Sequence, residues 1–334
     1  MPRAPWTGLA AAFAAVLLSA PALALAGQDI GIEAYPIPLA PENPEQRQLG
    51  ELAFAGGLQL SSPDRRFGGW SGMVVTADGT GLTAVSDNGW YLTARLGRRD
   101  GRLATVDGAE IGPLAGENGQ PLAGDKVLAD AESLALLADG TLAVGFERAH
   151  RILLYPPRPG GSPLAGTPRP LPTPPALQRA PANGGLEALL ALPDGRLLGF
   201  AEDLYDDAGA LTGWLFPGPG GGGPVQALAL VATEDYQPTD IAALPGGDIL
   251  LLQRRFTVAT GPGARLSVIP AAALGAGRPI RDRELARITP PLNVDNFECL
   301  GLWIDGAGRT RALILSDDNN DVLQRTLLLE FLLP

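Results

Sequence analysis

Short apolar runs joined by glycine-containing turns recur along the chain. Residues 184–203, GGLEALLALPDGRLLGFAED, hold two such runs around Asp194-Gly195, with Glu187 opening the first and Glu202 closing the second. Folding this hairpin about its turn sets Glu187 opposite Glu202, an unfavourable pairing of like charges that needs a compensator. The same arrangement returns at 69–88 (GWSGMVVTADGTGLTAVSDN), 130–151 (DAESLALLADGTLAVGFERAHR), 238–255 (PTDIAALPGGDILLLQRR) and 295–319 (DNFECLGLWIDGAGRTRALILSDDN). Asp-Gly and Gly-Gly suit tight hairpins, whose central residues need positive φ. Counted from Ser71 through Glu132, Glu187, Asp240 and Glu298, the copies recur every 53 to 61 residues. Regular strand hairpins at such a period predict an all-β fold, a β-propeller with one sheet per repeat.

The hairpin strands are apolar on both faces, as inner strands packed between neighbouring blades should be. Strand-like runs follow them, at Trp90–Leu96 and Ile152–Tyr155 for example. The Pro-rich stretch 156–183 and the Gly-rich stretch 217–224 are then long outer loops, a linker between two domains being the alternative for the first. The last copy lacks an outer strand, and ELAFAGGLQL (51–60) is a strand without a hairpin. N- and C-terminal strands are therefore expected to complete one blade together. This makes five blades, or six if 97–128 (containing LATVDGAEIGPL) forms a degenerate one. The propeller is assigned to 48–334, with 27–47 as an N-terminal extension.

Composition narrows the setting. Of 334 residues 46 % are hydrophobic, enough for a sizeable core, and 76 are Gly or Pro, which fits many turns. Residues 1–26 read as a secretory signal, with Arg3, an apolar stretch from Leu9 to Leu18 and a small-x-small site at Ala24-Leu25-Ala26. An uncleaved anchor is the alternative, but the apolar run is short for a span. An exported protein with no stable membrane span after cleavage is expected. Cys299 is the only cysteine, so no internal disulfide can form, and its place in an apolar strand suggests a small core residue. A net charge of −11 argues against a nucleic-acid partner and is compatible with cation binding. Nothing in the sequence addresses oligomeric state.

In a propeller the start of each blade's first strand and the end of its second emerge on one face. The polar openers (Ser71 or Gly72, Glu132, Glu187, Asp240, Glu298) and the closes (Asp87, Glu147, Glu202, Gln253-Arg254, Asp317-Asp318) should gather at one mouth. Crowded carboxylates there need compensation. Arginines 148, 151, 254, 255 and 325 lie next to the closes. The other compensator is a metal ion: Asp and Glu oxygens suit Ca²⁺, with Mg²⁺ second, and no His or Cys cluster exists for zinc or copper. The alternative is that acids and arginines only pair with one another. Asp317-Asp318-Asn319-Asn320-Asp321 lacks the Gly and Glu of an EF-hand loop and reads as a turn. His150, a lone histidine beside Arg151, reads as structural rather than as a general base. Trp70, Trp90 and Phe297 fit either the mouth or the core.

Several segments, among them FGGWSGMVVTADG, DAESLALLADG, NGGLEALLALPDGRLL, PTDIAALPGGDILLLQRRF, DNFECLGLW and LSDDNNDVLQRTLLLEF, resemble the phytase-like domain family, also called esterase-like activity of phytase. The resemblance covers nearly all of 48–334 and implies a periplasmic or secreted bacterial protein with phosphoesterase-type activity. It marks Asp87, Glu132, Glu147, Glu187, Glu202, Asp240, Glu298 and Asp317 as the family's repeated acids. The expected arrangement is a Ca²⁺-dependent phosphoester hydrolase acting on a small anionic substrate. Glu132, Glu187, Glu298, Asp317, Glu147 and Asp240 form the metal-holding set, Arg148 and Arg254 clamp the anion, and Asp87 or Glu202 is the general base. A calcium-dependent propeller lactonase or esterase, and a non-catalytic ligand- or partner-binding propeller, are the alternatives.

Overall fold

A computed structural model describes residues 25–275 and 277–334. Most of the segment read as an export signal, 1–24, lies outside the described residues. Among the described residues, twenty-three strands build five antiparallel sheets. The N-terminal strands are β1 (Gln28–Ile30), β2 (Glu33–Pro36), β3 (Gln48–Leu49) and β4 (Leu52–Ser61). Blade one follows with β5 (Trp70–Val75), β6 (Gly81–Ser86), β7 (Trp90–Arg99) and β8 (Arg102–Pro113). A short helix α1 (Lys126–Ala129) leads into blade two: β9 (Ala131–Leu136), β10 (Leu142–Phe146), β11 (Arg151–Tyr155) and β12 (Arg169–Leu171). Blade three is β13 (Leu186–Ala191), β14 (Leu197–Tyr205), β15 (Leu211–Phe216) and β16 (Gln226–Leu230). Blade four is β17 (Gln237–Ala243), β18 (Ile249–Thr257), β19 (Gly261–Ile269) and β20 (Arg283–Ile288). Strands β21 (Asn296–Ile304), β22 (Thr310–Asp317) and β23 (Thr326–Leu332) begin blade five.

The ring closes as expected: β4 pairs antiparallel with β23, so the two ends of the chain share blade five. The region 97–128 makes no sixth blade, because 102–113 is the fourth strand of blade one. The stretch 27–47, expected to precede the propeller, supplies edge strands to two blades: β1 pairs with β8, and β2 with β4. The long loop 156–183 contributes β12 at the edge of blade two.

The first strands β5, β9, β13, β17 and β21 pack against one another in sequence, and β21 meets β5 to complete the circle. Apolar residues on both faces of the blades fill five hydrophobic clusters, one at each blade-to-blade interface. Trp70, Phe297 and Cys299 belong to these clusters, and Trp90 packs at the edge of one. The Cys299 thiol donates to the Trp70 carbonyl across the closing interface at 3.3 Å.

Close approach of the inner strands restricts side-chain size. A Cβ at Gly72 would lie 2.7 Å from the Leu134 amide nitrogen of the next blade. Gly72→Ala must therefore push two inner strands apart. We expect it to destabilise the fold by about 1–3 kcal/mol, the usual range for overpacking, read as a lowered urea midpoint. An unchanged midpoint would mean that the blades can slide.

Candidate functional site

Each first strand carries one extra residue relative to its partner. The bulged residues are Ser71, Glu132, Glu187, Thr239 and Glu298. A bulge re-aims a side chain without ending the strand pairing. Here it comes just before the strand enters the packed interior, and Ser71, Glu132, Glu187 and Glu298 line a cavity of about 290 Å³ on the propeller axis. The bulge also corrects the expected pairing in blade three. Glu202 donates its amide to the Gly185 carbonyl rather than facing Glu187 in register.

The closes arrive at the same cavity: Asp87, Glu147, Glu202, Arg254 and Asp317 all line it. Asp240 does not. The extra residue in blade four is Thr239, so Asp240 falls one position further along β17 and turns into the protein. There its carboxylate accepts from the Ile241 amide at 2.8 Å and from the Leu300 amide of blade five at 2.7 Å. It pins two inner strands together and is removed from the metal-holding set. Gln253 turns away as well, to Arg265.

Three residues of the cavity were not singled out from sequence. Lys126, on α1, donates to Asp87 Oδ2 at 2.7 Å and also to Asp130. Asp130 further accepts from Arg148 Nε at 2.6 Å. Asn183, from the loop before blade three, completes the wall. Asp130 stood in the sequence only as the first residue of DAES. Lys126 had no signal beyond lying four residues ahead of it, one helical turn away.

Eight carboxylates face three cations in this cavity. Two groups are tight: Asp130, Glu132 and Glu147 bring carboxylate oxygens within 4.8 Å of one another, and so do Glu147, Glu187 and Glu202. Glu147 belongs to both, and also accepts from the Gly185 amide. Arg254 reaches Glu202 at 2.8 Å and Glu298 at 3.1 Å, joining blades three, four and five. Asn296 donates to Glu298 at 2.7 Å. Glu132 and Glu187 are buried, 9 % and 6 % exposed, yet neither carboxylate has a hydrogen-bond or ion-pair partner among the described residues.

Burial dominates the proton affinities. It raises Glu132 and Glu187 well above the ordinary carboxylate range, reinforced by neighbouring acids. Glu147 is pushed up to about 8 by burial, with Glu202 and Asp130 adding repulsion. Burial lifts Glu298 to about 7 against the pull of Arg254. Asp317 rises through burial and the nearby Glu298, and Asp87 rises through burial despite Lys126. Burial by itself would lower the Arg254 guanidinium, but the Glu298, Glu187 and Glu202 carboxylates outweigh it and raise it.

The remaining motifs are structural. Asp318 accepts from the Gly69 amide at 3.1 Å and from Thr326 at 2.8 Å, and Asn319 and Asn320 adopt positive φ, so 317–321 is a turn that also sets Asp317. His150 is buried behind the cavity wall, its Nε2 3.2 Å from the Ala180 carbonyl. Gly69 has φ +67, and a Cβ there would lie 2.2 Å from Asp87 Oδ1, so glycine is what lets Asp87 reach the mouth.

Fold and site together define a five-bladed β-propeller with an acid-lined axial mouth. The chain belongs to the phytase-like family, described as esterase-like activity of phytase, whose model matches residues 65–320. No curated protein matches the sequence. Three solved structures are similar at low identity. A structural-genomics target provisionally described as a gluconolactonase is 14 % identical, with 93 % of this chain and 97 % of that one covered and a TM-score of 0.45. A gluconolactonase from Xanthomonas campestris is 13 % identical, with 92 % and 98 % covered and a TM-score of 0.43. The protein U3-55K is 12 % identical, with 80 % and 96 % covered and a TM-score of 0.37.

Proposed function

We propose that this protein is a divalent-cation-dependent ester hydrolase, with Ca²⁺ the resident cation and phosphate esters its first substrate class. One observation carries the reading. Two buried carboxylates, Glu132 and Glu187, have no hydrogen-bond or ion-pair partner among the described residues and sit in two carboxylate triads that share Glu147. Buried charge of this kind is costly unless something compensates it.

The donor set fits a hard cation. Every candidate ligand is a carboxylate oxygen, and oxygens within 4.8 Å of one another suit an ion that takes ligands at about 2.3–2.6 Å. Asp130, Glu132 and Glu147 would hold one such ion, and Glu147, Glu187 and Glu202 a second. Mg²⁺ is less suited, because it demands a stricter octahedron and keeps its waters. When bound, such a cation polarises an ester oxygen and lowers the pKa of water.

The protein's own groups do the rest. Arg254, gripped by Glu202 and Glu298, fixes the spacing of three blades and supplies positive charge at the rim. Lys126 orients Asp87 from one side, and Asn88 donates to its Oδ1 at 2.8 Å from another. Asp87 is partly open to the cavity with its proton affinity raised, as a group that takes a proton from water should be.

A second reading keeps the cation and changes the ester. Arg148, Arg254 and Lys126 are each already engaged with mouth carboxylates. An uncharged carboxyl ester or lactone needs no further cation and would bind the same centre. The apolar stretch Leu9–Leu18 supports placing the protein outside the cytoplasm as part of this proposal. No helix among the described residues is long and apolar enough to cross a membrane.

Melting the protein in EDTA and then with added Ca²⁺ tests the centre. At a hundredfold excess over Kd the gain should be about 2.7 kcal/mol, read as a rise in Tm. Phosphomonoesters, phosphodiesters, carboxyl esters and lactones, each assayed with and without EDTA, separate the two readings. A Tm indifferent to Ca²⁺ together with no Ca²⁺-dependent hydrolysis rejects both.

A further inference from the structure

A second cavity, of about 600 Å³, opens directly beside the mouth and shares Arg254 and Asn319 with it. We infer that this groove is the specificity subsite for an apolar, non-reacting arm of the substrate, an aryl or alkyl group attached to the ester. The inference rests on the hydrolase reading for its link to catalysis, but the groove's binding preference can be measured without turnover.

The groove has two walls. One is the β18–β19 hairpin, in which Phe256 pairs with Pro262 and Thr257 with Gly261, beyond the level at which Arg254 enters the mouth. Successive side chains on a strand alternate between faces, so residues two apart share one. Phe256 therefore stands on the same side of β18 as Arg254. The other wall is the 318–325 turn between β22 and β23, which presents Leu323, with Val294 at the base. Phe256 is 68 % exposed and Leu323 87 %. The tips behind them carry two more exposed apolar residues, Val258 and Val322. Single exposed apolar side chains are ordinary on a protein surface. Apolar residues on two separate elements that border one cavity contiguous with an acid-lined mouth are a different arrangement, and the volume is that of a small-molecule pocket.

The charges of the groove point to an apolar arm rather than an anionic one. Arg255 pairs with Glu234 at 3.1 Å and lies 4.8 Å from the centre of the Tyr236 ring. Arg325 contacts Asp295 at 3.4 Å and donates to Asn293 at 3.1 Å. Arg254 is held by the two mouth glutamates. These arginines are already engaged inside the protein, whereas Phe256 and Leu323 are uncovered. A substrate with its ester at the carboxylates and a ring or short chain between the two walls fills both cavities.

Calorimetric titration of the whole protein with Ca²⁺ present tests this, using two probe pairs: phenyl phosphate against inorganic phosphate, and phenylacetate against acetate. Burying a ring of this size should make the aryl member of at least one pair bind about tenfold tighter or more. The double variant Phe256→Ser, Leu323→Ser removes two exposed side chains, which leaves the core intact. In it the aryl preference should collapse to within about twofold. Equal affinity within both pairs, binding by neither aryl probe, or a preference that survives in the variant overturns the groove. Hydrolysis is scored separately. Aryl preference without turnover of any ester keeps the groove and rejects the hydrolase. Ca²⁺-dependent turnover without aryl preference does the reverse.

Discussion

Glu147→Gln should abolish both the response to Ca²⁺ and the hydrolytic activity while leaving the cation-free protein at least as stable as the parent. Glu147 is the one carboxylate common to both triads, so its loss disables each at once. Substitution of residues that merely support metal ligands costs about 10–100-fold. A ligand shared by both triads should therefore cost about 100-fold or more in kcat/KM. The fold should tolerate the change for an electrostatic reason. With its proton affinity pushed up to about 8, Glu147 already carries a proton at neutral pH when no cation is bound. Glutamine is close to the shape of that protonated acid and still accepts from the Gly185 amide through its side-chain oxygen. The measurement is a pair of melts, with EDTA and with Ca²⁺, beside an activity assay. An inactive variant that melts lower in EDTA and keeps its Ca²⁺ shift would make Glu147 a structural residue.

Glu187→Gln separates the triads. It removes one group and leaves Asp130, Glu132 and Glu147 together. A weakened but surviving Ca²⁺ shift is expected. Complete loss would mean a single ion shared by all the acids, and an unchanged shift would remove Glu187 from the centre.

Much of this architecture could be read from the chain, and the exceptions share a cause. The hairpins were legible because a period of two and Asp-Gly turns are local properties. Closure was legible because 51–60 was a strand in need of partners, and β4 found them in β23. Bulges were not legible. An extra residue changes neither composition nor turn chemistry, only the register, and register depends on the partner strand. For that reason the acid of PTDIAAL was aligned with the other openers, when Thr239 occupies their place and Asp240 serves an interface. Lys126 was missed because it lies in the irregular stretch ahead of blade two, where no repeat brings it to notice. The edge strands at 28–30 and 33–36 are short and largely exposed, so they carry little hydrophobic periodicity.

The cation-free protein should lose stability as pH rises from about 5 to 8, and saturating Ca²⁺ should flatten that slope. Glu147 has its proton affinity moved from 4.5 to about 8 by burial, and Glu298 from 4.5 to about 7. Glu132, Glu187 and Asp317 move in the same direction. Between the unfolded and folded values the native state binds more protons than the unfolded chain, so unfolding becomes easier as pH increases. Below about pH 4.5 both states are protonated and the contribution is fully present. Above about 8 it is gone. Each tenfold difference in proton affinity is about 1.4 kcal/mol, so even one such residue tilts the curve measurably. The acids whose affinity is lowered act elsewhere: Asp64 and Asp78, held down to about 2 by their hydrogen bonds, lose their contribution only in stronger acid. A cation competes with these protons for the same oxygens. The Ca²⁺-induced rise in Tm should therefore be small at pH 5 and largest at pH 8, and binding near pH 7 should release protons, visible as a calorimetric heat that changes with buffer ionisation enthalpy. A cation-free Tm that climbs between pH 5 and 8, or a Ca²⁺ shift that is the same at both ends, would show that the mouth carboxylates are already satisfied by the protein itself.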